Sequence, residues 1–410
     1  MHQIACHACD LIHDIPPMPS RAAACCVRCG SVLFRAKPNS IDRTLAWTLA
    51  GLVLYAIAVS YPFLAMKIGS VVQQTSLLGG VQQLFNQGII PLATLVLLTC
   101  VVIPLIQMLS LLYVFIPLKL KTQSKFAIPV FRLLGHIKPW SMMEIYMLGI
   151  LVSIVKLGKM ATIVPGLAVI AFSLLIFVLA FALSSVDHHM VWERLGGKFA
   201  KVTNPSEKTM KLVSCEACHL LSRWPKNSEG QIVCCPRCSG EMHQRKPNSL
   251  MRTWALLIAA IIFYIPANVL PMTITSAVGS TSADTIMSGV IYFIHSGSWE
   301  IALVIFTASI FVPFMKFIIL IYLLLSVQFK SIKRPKKRTR FYHFTEAVGR
   351  WSMLDVYVVS ILISLVKLGF LADIAAGPAV IYFAAVVVTT MLAAESFDPR
   401  LIWDVVEEKS

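Results

Sequence analysis

The chain has 410 residues, 57% of them hydrophobic and only 14% charged, with a mean hydropathy of +0.75. A soluble domain cannot bury that much apolar surface, so the composition excludes a soluble enzyme or binding module and points to a membrane protein. The formal net charge of +16 does not imply a nucleic-acid partner, because the basic residues lie in short stretches flanking apolar segments, as in cytoplasmic loops of membrane proteins.

In chain order, residues 1–40 read as a small metal-binding module. Pro16, Pro17 and Pro19 stand where the apolar core of a cleavable signal would sit, so the first apolar span is expected to be an uncleaved anchor. The module carries C-x2-C-x16-C-x2-C as Cys6, Cys9, Cys26 and Cys29. Two such turns can present four thiolates to zinc at about 2.3 Å. Cytosolic placement disfavours disulfides. Cys25 adjoins the third ligand, but Cys26 completes the pair and is the expected ligand. Four protein ligands close the shell, so the site is structural rather than catalytic.

Residues 41–190 form the first helical domain. Spans of about 20 residues are predicted to begin near Leu45, Ile89, Trp140 and Ala161, the second continuing to about Leu120. The last two are closely joined at Lys156–Thr162, which leaves a re-entrant hairpin as an alternative. Cys100 lies in an apolar span as a packing residue. Between the first two spans, Leu77, Leu78, Val81, Leu84 and Phe85 recur at helical spacing. They predict a short amphipathic helix over Ser76–Gly88 at the outer membrane surface, either a docking or gating element or a plain connector.

Residues 191–249 hold a linker and a second ribbon, with Cys215, Cys218, Cys235 and Cys238 as ligands and Cys234 as the counterpart of Cys25. His7 and His219 lie nearby, but four thiolates already fill each shell. Two structural zinc ions are therefore expected. Residues 250–395 form the second helical domain, with spans from near Leu250, Trp299, Trp351 and Leu371, the sixth continuing to Gln328, and a second amphipathic stretch over Thr285–Gly297. Residues 396–410 are a cytosolic tail.

The two halves repeat in register, offset by 209 residues at first and by 211 later. Lys37-Pro38-Asn39-Ser40 matches Lys246-Pro247-Asn248-Ser249, and Tyr55, Pro62 and Pro104 match Tyr264, Pro271 and Pro313. Trp140-Ser141-Met142 matches Trp351-Ser352-Met353, and Val155–Gly158 matches Val366–Gly369. The fold class is thus an all-α polytopic membrane protein of two tandem repeats, each a cytosolic four-cysteine zinc ribbon plus four transmembrane helices. An even number of spans per repeat gives both copies one orientation. Basic residues crowd the ribbon segments, 119–138 and 333–340, whereas 272–298 has no Lys or Arg. Both termini and both ribbons are therefore expected in the cytosol.

Charges inside apolar spans are costly and mark candidate functional positions. They are Glu144 and Lys156 in the third span, Lys316 in the sixth, and Asp355 and Lys367 in the seventh. Glu144 and Asp355 occupy equivalent first turns, where an acid also complements the helix dipole. Lys156 and Lys367 are equivalent and near span ends, where they can snorkel. Lys316 has no charged counterpart, only Gln107, and lies roughly 16 Å along its helix. It is expected to pair with Asp355 near Ser309, Ser352, Thr389 and Thr390.

The tandem ribbons, Arg350-Trp-Ser-Met-Leu-Asp355, Trp140-Ser-Met-Met-Glu144 and Val312-Pro-Phe-Met-Lys316 resemble the paraquat-inducible protein A family over nearly the whole chain. The resemblance implies a bacterial inner-membrane subunit working with a periplasmic MCE-domain tunnel protein to move phospholipid between inner and outer membranes. It also implies a polar network at Ser309, Lys316, Ser352, Asp355 and Thr390. One departure is Lys159, where close relatives carry an acid. The alternative function is a zinc-ribbon membrane scaffold or sensor that assembles a partner. An enzyme is not expected, since the chain has no Walker A loop, HExxH or nucleophile elbow.

Overall fold

A computed structural model describes residues 2–16, 19, 22–68, 71–122, 124–157, 162–196, 212–224, 233–277, 280–297, 299–365 and 372–408. Among them, eight helices are long and apolar enough to cross a membrane, four in each half, and the chain is a multi-pass membrane protein.

The first ribbon is two hairpins, β1 (His2–Ala5) with β2 (Ile12–Ile15) and β3 (Ala23–Cys25) with β4 (Val32–Arg35). Then come α1 (Ser40–Ser60), β5 (Leu64–Ile68), β6 (Val71–Thr75), α2 (Leu77–Asn86), α3 (Ile90–Leu97), α4 (Ile103–Leu120), α5 (Ala127–Ile137), α6 (Met143–Leu157), β7 (Thr162–Pro165), α7 (Leu167–Ser185) and α8 (His188–Gly196). The second half repeats the order. Its ribbon is β8 (Leu212–Ser214), β9 (Leu221–Arg223), β10 (Val233–Cys234) and β11 (Glu241–Met242). After it run α9 (Ser249–Val269), β12 (Thr273–Ala277), β13 (Ser280–Asp284), α10 (Ile286–His295), α11 (Trp299–Phe306), α12 (Val312–Gln328), α13 (Pro335–Val348), α14 (Leu354–Leu365), β14 (Ala372–Ala376), α15 (Ala379–Ser396) and α16 (Leu401–Glu408).

The repeated motifs explain the repeated geometry. The Lys-Pro-Asn-Ser run turns each ribbon into its first helix, with Asn39 and Asn248 left-handed at φ 51° and 52°. Its Ser and Lys then staple that helix to the fourth of the same half. Ser40 Oγ donates to Ser185 O and Lys37 Nζ to Val186 O; Ser249 Oγ donates to Ser396 O and Lys246 Nζ to Glu395 O. The second span of each half is long, as expected, and widens into a π-helical turn at Leu98–Val102 and Thr307–Phe311. Pro104 and Pro313 follow these turns and lack the N–H a regular ladder needs. The matched Tyr55 and Tyr264 hydroxyls donate to the carbonyls of Val101 and Ile310 there. The Trp-Ser-Met motifs fall at 3-10 breaks, Lys138–Trp140 running into Ser141-Met142 and Gly349–Met353, that separate α5 from α6 and α13 from α14.

The amphipathic stretches are helices α2 and α10, each capped by a hydroxyl: Ser76 Oγ accepts from Gly79 N and Thr285 Oγ1 from Ser288 N. The fourth spans start later than hydropathy predicts. Strands β7 and β14 occupy the expected first turns and complete three-stranded sheets, β6-β5-β7 and β13-β12-β14, at the end of the helices remote from the ribbons. An apolar, β-branched run such as Thr162-Ile-Val has the same hydropathy as strand or as helix, so period and length cannot separate the two. Gly166 and Gly377 let the strand turn into helix: a Cβ at either would strike the carbonyl oxygen of Pro62 or Pro271.

The halves meet at α6 and α14, where the equivalent rings of Tyr146 and Tyr357 form a T-shaped pair 5.5 Å apart. A Cβ at Gly149 would lie 3.1 Å from that of Tyr357, so the two helices touch closely. The ribbons sit crossed. The first packs its ligand cysteines beneath the second helical domain with Phe317, Tyr342 and Trp403, and the second packs beneath the first with Phe115, Phe131 and Trp192. Arg28 stacks over the Trp403 ring and pairs with Glu407 at 2.6 Å, while Arg132 donates to Cys238 O. The segment after residue 396, expected as a tail, forms α16 and closes this layer.

Candidate functional site

The metal centres are built by backbone turns before any ligand is considered. In all four Cys-x-x-Cys turns the residue after the second cysteine is left-handed: Asp10, Gly30, His219 and Ser239. Its N–H donates back to the first cysteine's carbonyl, at 2.8 Å for Asp10 to Cys6 and 2.9 Å for Ser239 to Cys235. Only one of the four is glycine, so the hydrogen bond and not glycine's freedom fixes the turn.

Each set brings its four Sγ atoms within 4.8 Å of one another: Cys6, Cys9, Cys26 and Cys29, and Cys215, Cys218, Cys235 and Cys238. Cross-turn separations are 3.4 and 3.5 Å in the first ribbon and 3.6 and 3.5 Å in the second. A tetrahedron with bonds of about 2.3 Å has edges of roughly 3.8 Å, so both sets fit a four-sulfur metal site with slight expansion. Hydrogen bonds from Cys9 draw the Cys6 thiol down to about 4, and Cys9 in turn is pushed well above its ordinary range. Cys215 and Cys218 likewise draw Cys235 down to about 2 while Cys218 is pushed far up. One thiolate therefore opposes the next, and four thiolates together call for a cation. Cys25 and Cys234 are exposed, whereas Cys26 and Cys235 are buried in the sets, as the pairing rule required. His13 Nε2 lies 3.2 Å from Cys26 Sγ in the first ribbon. Its counterpart in the second is Ser222.

The second candidate lies inside the second helical domain. Lys316 is 2% exposed. Its Nζ donates to Thr390 Oγ1 at 2.7 Å and to Gly349 O at 3.3 Å, and Ser352 Oγ donates to the same carbonyl at 2.9 Å. The 3-10 break at Gly349 thus frees a carbonyl for the amine, and Lys316, Ser352 and Thr390 converge there. Ser309 is fully buried in the π turn of the same span but donates to Ile305 O, and Thr389 donates to Ala385 O. The hydrogen bonds of Lys316 thus go to neutral groups and not to Asp355. Asp355 is buried and lines a cavity of about 50 Å³, enough for a few waters, together with Thr273, Asp284, Phe293 and Ile305. Glu144, its counterpart, is exposed. Lys159, Lys367 and the side chain of Lys156 lie outside the described residues.

Three participants escaped the sequence reading. Tyr357 Oη donates to Thr99 Oγ1 at 2.8 Å, joining the halves in the buried layer. Asp284 shares the Asp355 cavity. The signal for Tyr357 was present in its match to Tyr146, since equivalent residues of a two-fold repeat meet at the axis. Nothing in the sequence marks Asp284 or Thr99.

The family model for paraquat-inducible protein A matches residues 41–196 and again 250–407, once per half. The intermembrane transport protein PqiA of Escherichia coli strain K12 is 33% identical over 98% of this chain and 95% of its own length. A probable intermembrane transport protein of Haemophilus influenzae is 32% identical over 99% and 97%. Lipophilic envelope-spanning tunnel protein A of Escherichia coli strain K12 is 32% identical over 97% and 90%. No solved structure matches. With both halves matched and relatives aligned almost end to end, the chain belongs to the paraquat-inducible protein A family.

Proposed function

We propose that this protein is an inner-membrane subunit that moves phospholipid between the inner and outer membranes of a bacterium, loading or unloading lipid at a periplasmic MCE-domain tunnel protein. The names of its relatives, intermembrane transport protein and envelope-spanning tunnel protein, support the reading. The observation that carries it is the Lys316, Thr390, Gly349 and Ser352 cluster, built in one half of a duplicated molecule and not in the other. An amine in the hydrocarbon layer is too costly to keep as packing. An amine at this depth suits a phosphate headgroup or a proton during transport. The protein acts as a transporter and not as an enzyme, with both termini and both ribbons cytosolic and one structural zinc in each ribbon.

Lys316→Met with Thr390→Val removes the amine and its hydroxyl partner at similar volume. The double variant is expected to insert and purify normally, yet fail to restore envelope integrity in a strain lacking this protein and its paralogues. Full rescue would sink the proposal. A zinc-ribbon scaffold or sensor is the second reading. The tight packing of the crossed ribbons against both helical domains favours it, and under it every change at Lys316 that preserves the fold is silent.

A further inference from the structure

A cavity of about 220 Å³ lies between the two ribbons and the corner where α7 turns into α8. It touches neither the Lys316 cluster nor the space beside Asp355. Both copies of the repeat contribute walls. Arg35 and Lys37 come from the end of the first ribbon, His188 and His189 from the start of α8, and His7 and His219 from one turn of each ribbon. Asp187 is the one carboxylate in the lining, and its Oδ1 already accepts from Met190 N at 3.1 Å as the cap of α8.

The lining is therefore cationic and rich in donors. Lys37 Nζ is anchored at 2.8 Å from Val186 O, three residues before α1 begins. His188 lines the cavity wall, and burial of its ring among its neighbours holds its pKa down to about 4. For His188, nearby Lys138 and Lys37 add to the lowering and mark a positive local field. Neutral imidazoles present N–H donors. Among the described residues, only the two cysteine sets bring three or more His, Cys, Asp or Glu atoms close enough for a metal. The volume is below the roughly 300–1,000 Å³ of a drug-sized ligand, which suits a headgroup and not a whole lipid.

We propose that the inter-ribbon cavity binds a phosphate group, with Arg35 and Lys37 supplying charge and His188 and His189 supplying hydrogen bonds. The group comes either from free phosphate or from the headgroup of a phospholipid in the leaflet on the ribbon side. Because Arg35 and Lys37 end the first ribbon and His188 and His189 open α8, the bound phosphate ties that ribbon to the first helical domain.

The test uses the full chain. One arm dialyses radiolabelled inorganic phosphate against delipidated protein in maltoside detergent. The other counts lipids retained by native mass spectrometry after release from nanodiscs containing phosphatidylglycerol in phosphatidylcholine. Saturation at one phosphate per chain identifies the free anion as the source. One retained phosphatidylglycerol without phosphate binding identifies the headgroup. In either case Lys37→Met with Arg35→Gln should weaken binding at least tenfold. Arg35→Gln alone changes an exposed side chain and should weaken it about threefold with size-exclusion behaviour unchanged. Absence of binding in both arms, or equal binding by wild type and Arg35→Gln, overturns the proposal.

Discussion

The two helical domains share one plan and differ at its centre. In the first, Gln107 stands where the second has Lys316, Leu179 where it has Thr390, and exposed Glu144 where it has buried Asp355. Gln107 Nε2 reaches the carbonyl of Ile137 at 3.4 Å, the neutral version of the Lys316 bond to Gly349. The surroundings differ as well. Helix α2 of the first half lies against α14 of the second, with Thr75 Oγ1 donating to Ser364 O and Gly80 facing the Ser364 side chain. Helix α10, which packs on α11 as α2 packs on α3, leaves a small cavity beside Asp355. All twelve residues of α14 are buried. The two halves thus share one frame, whose centre holds neutral groups in the first half and a buried amine and carboxylate in the second.

What the halves share is tested by the largest effects. Cys26→Ser or Cys235→Ser should each remove one metal ion per chain and sharply lower the yield of folded protein, since structural zinc contributes on the order of 10 kcal/mol in small domains. Cys25→Ser and Cys234→Ser should leave metal content unchanged. Elemental analysis of purified protein checks both, with two zinc ions expected in the parent.

What the halves do not share is tested next. Gln107→Lys places an amine where Leu179 replaces the hydroxyl that serves Lys316. An uncompensated buried charge costs about 3–5 kcal/mol, so the variant should lose thermal stability in detergent. Adding Leu179→Thr should restore part of it. If Gln107→Lys alone is as stable as the parent, the first half is equally prepared for a charge and the contrast fails. A smaller effect attaches to the seam. Tyr357→Phe deletes the bond to Thr99 and should cost about 1 kcal/mol, seen as a shift of a few degrees in unfolding temperature.

Much of this architecture was legible in the chain. Four-cysteine spacing, span length and the repeat register specify ribbons, helices and their order because each is a local property. The Lys-Pro-Asn-Ser and Trp-Ser-Met runs were visible as repeats, but their roles as staple and break depend on residues far away in sequence, Ser185 and Lys316 among them. Strands β7 and β14 were hidden because an apolar run has no period that separates a short strand from a first helical turn. The crossing of the ribbons was hidden for a different reason. The two ribbons carry the same cysteine spacing, so that motif alone does not assign either ribbon to a helical domain. The expected Lys316–Asp355 pair followed from the need to find acceptors for a buried amine, and the Gly349 carbonyl freed by the 3-10 break and the Thr390 hydroxyl supply them.

Lys316 is proposed to serve transport and not folding, and Gln107 shows which side chain the frame accepts in its place. Lys316→Gln should therefore fold, bind two zinc ions and melt within a few degrees of the parent. Transfer of fluorescent phospholipid between vesicles carrying this protein and acceptor vesicles, bridged by the proposed tunnel partner, measures the proposed function directly. Lys316→Gln is expected to reduce the transfer rate at least tenfold, whereas Gln107→Leu leaves it within twofold. Equal rates for Lys316→Gln and the parent would contradict a role for Lys316 in transport.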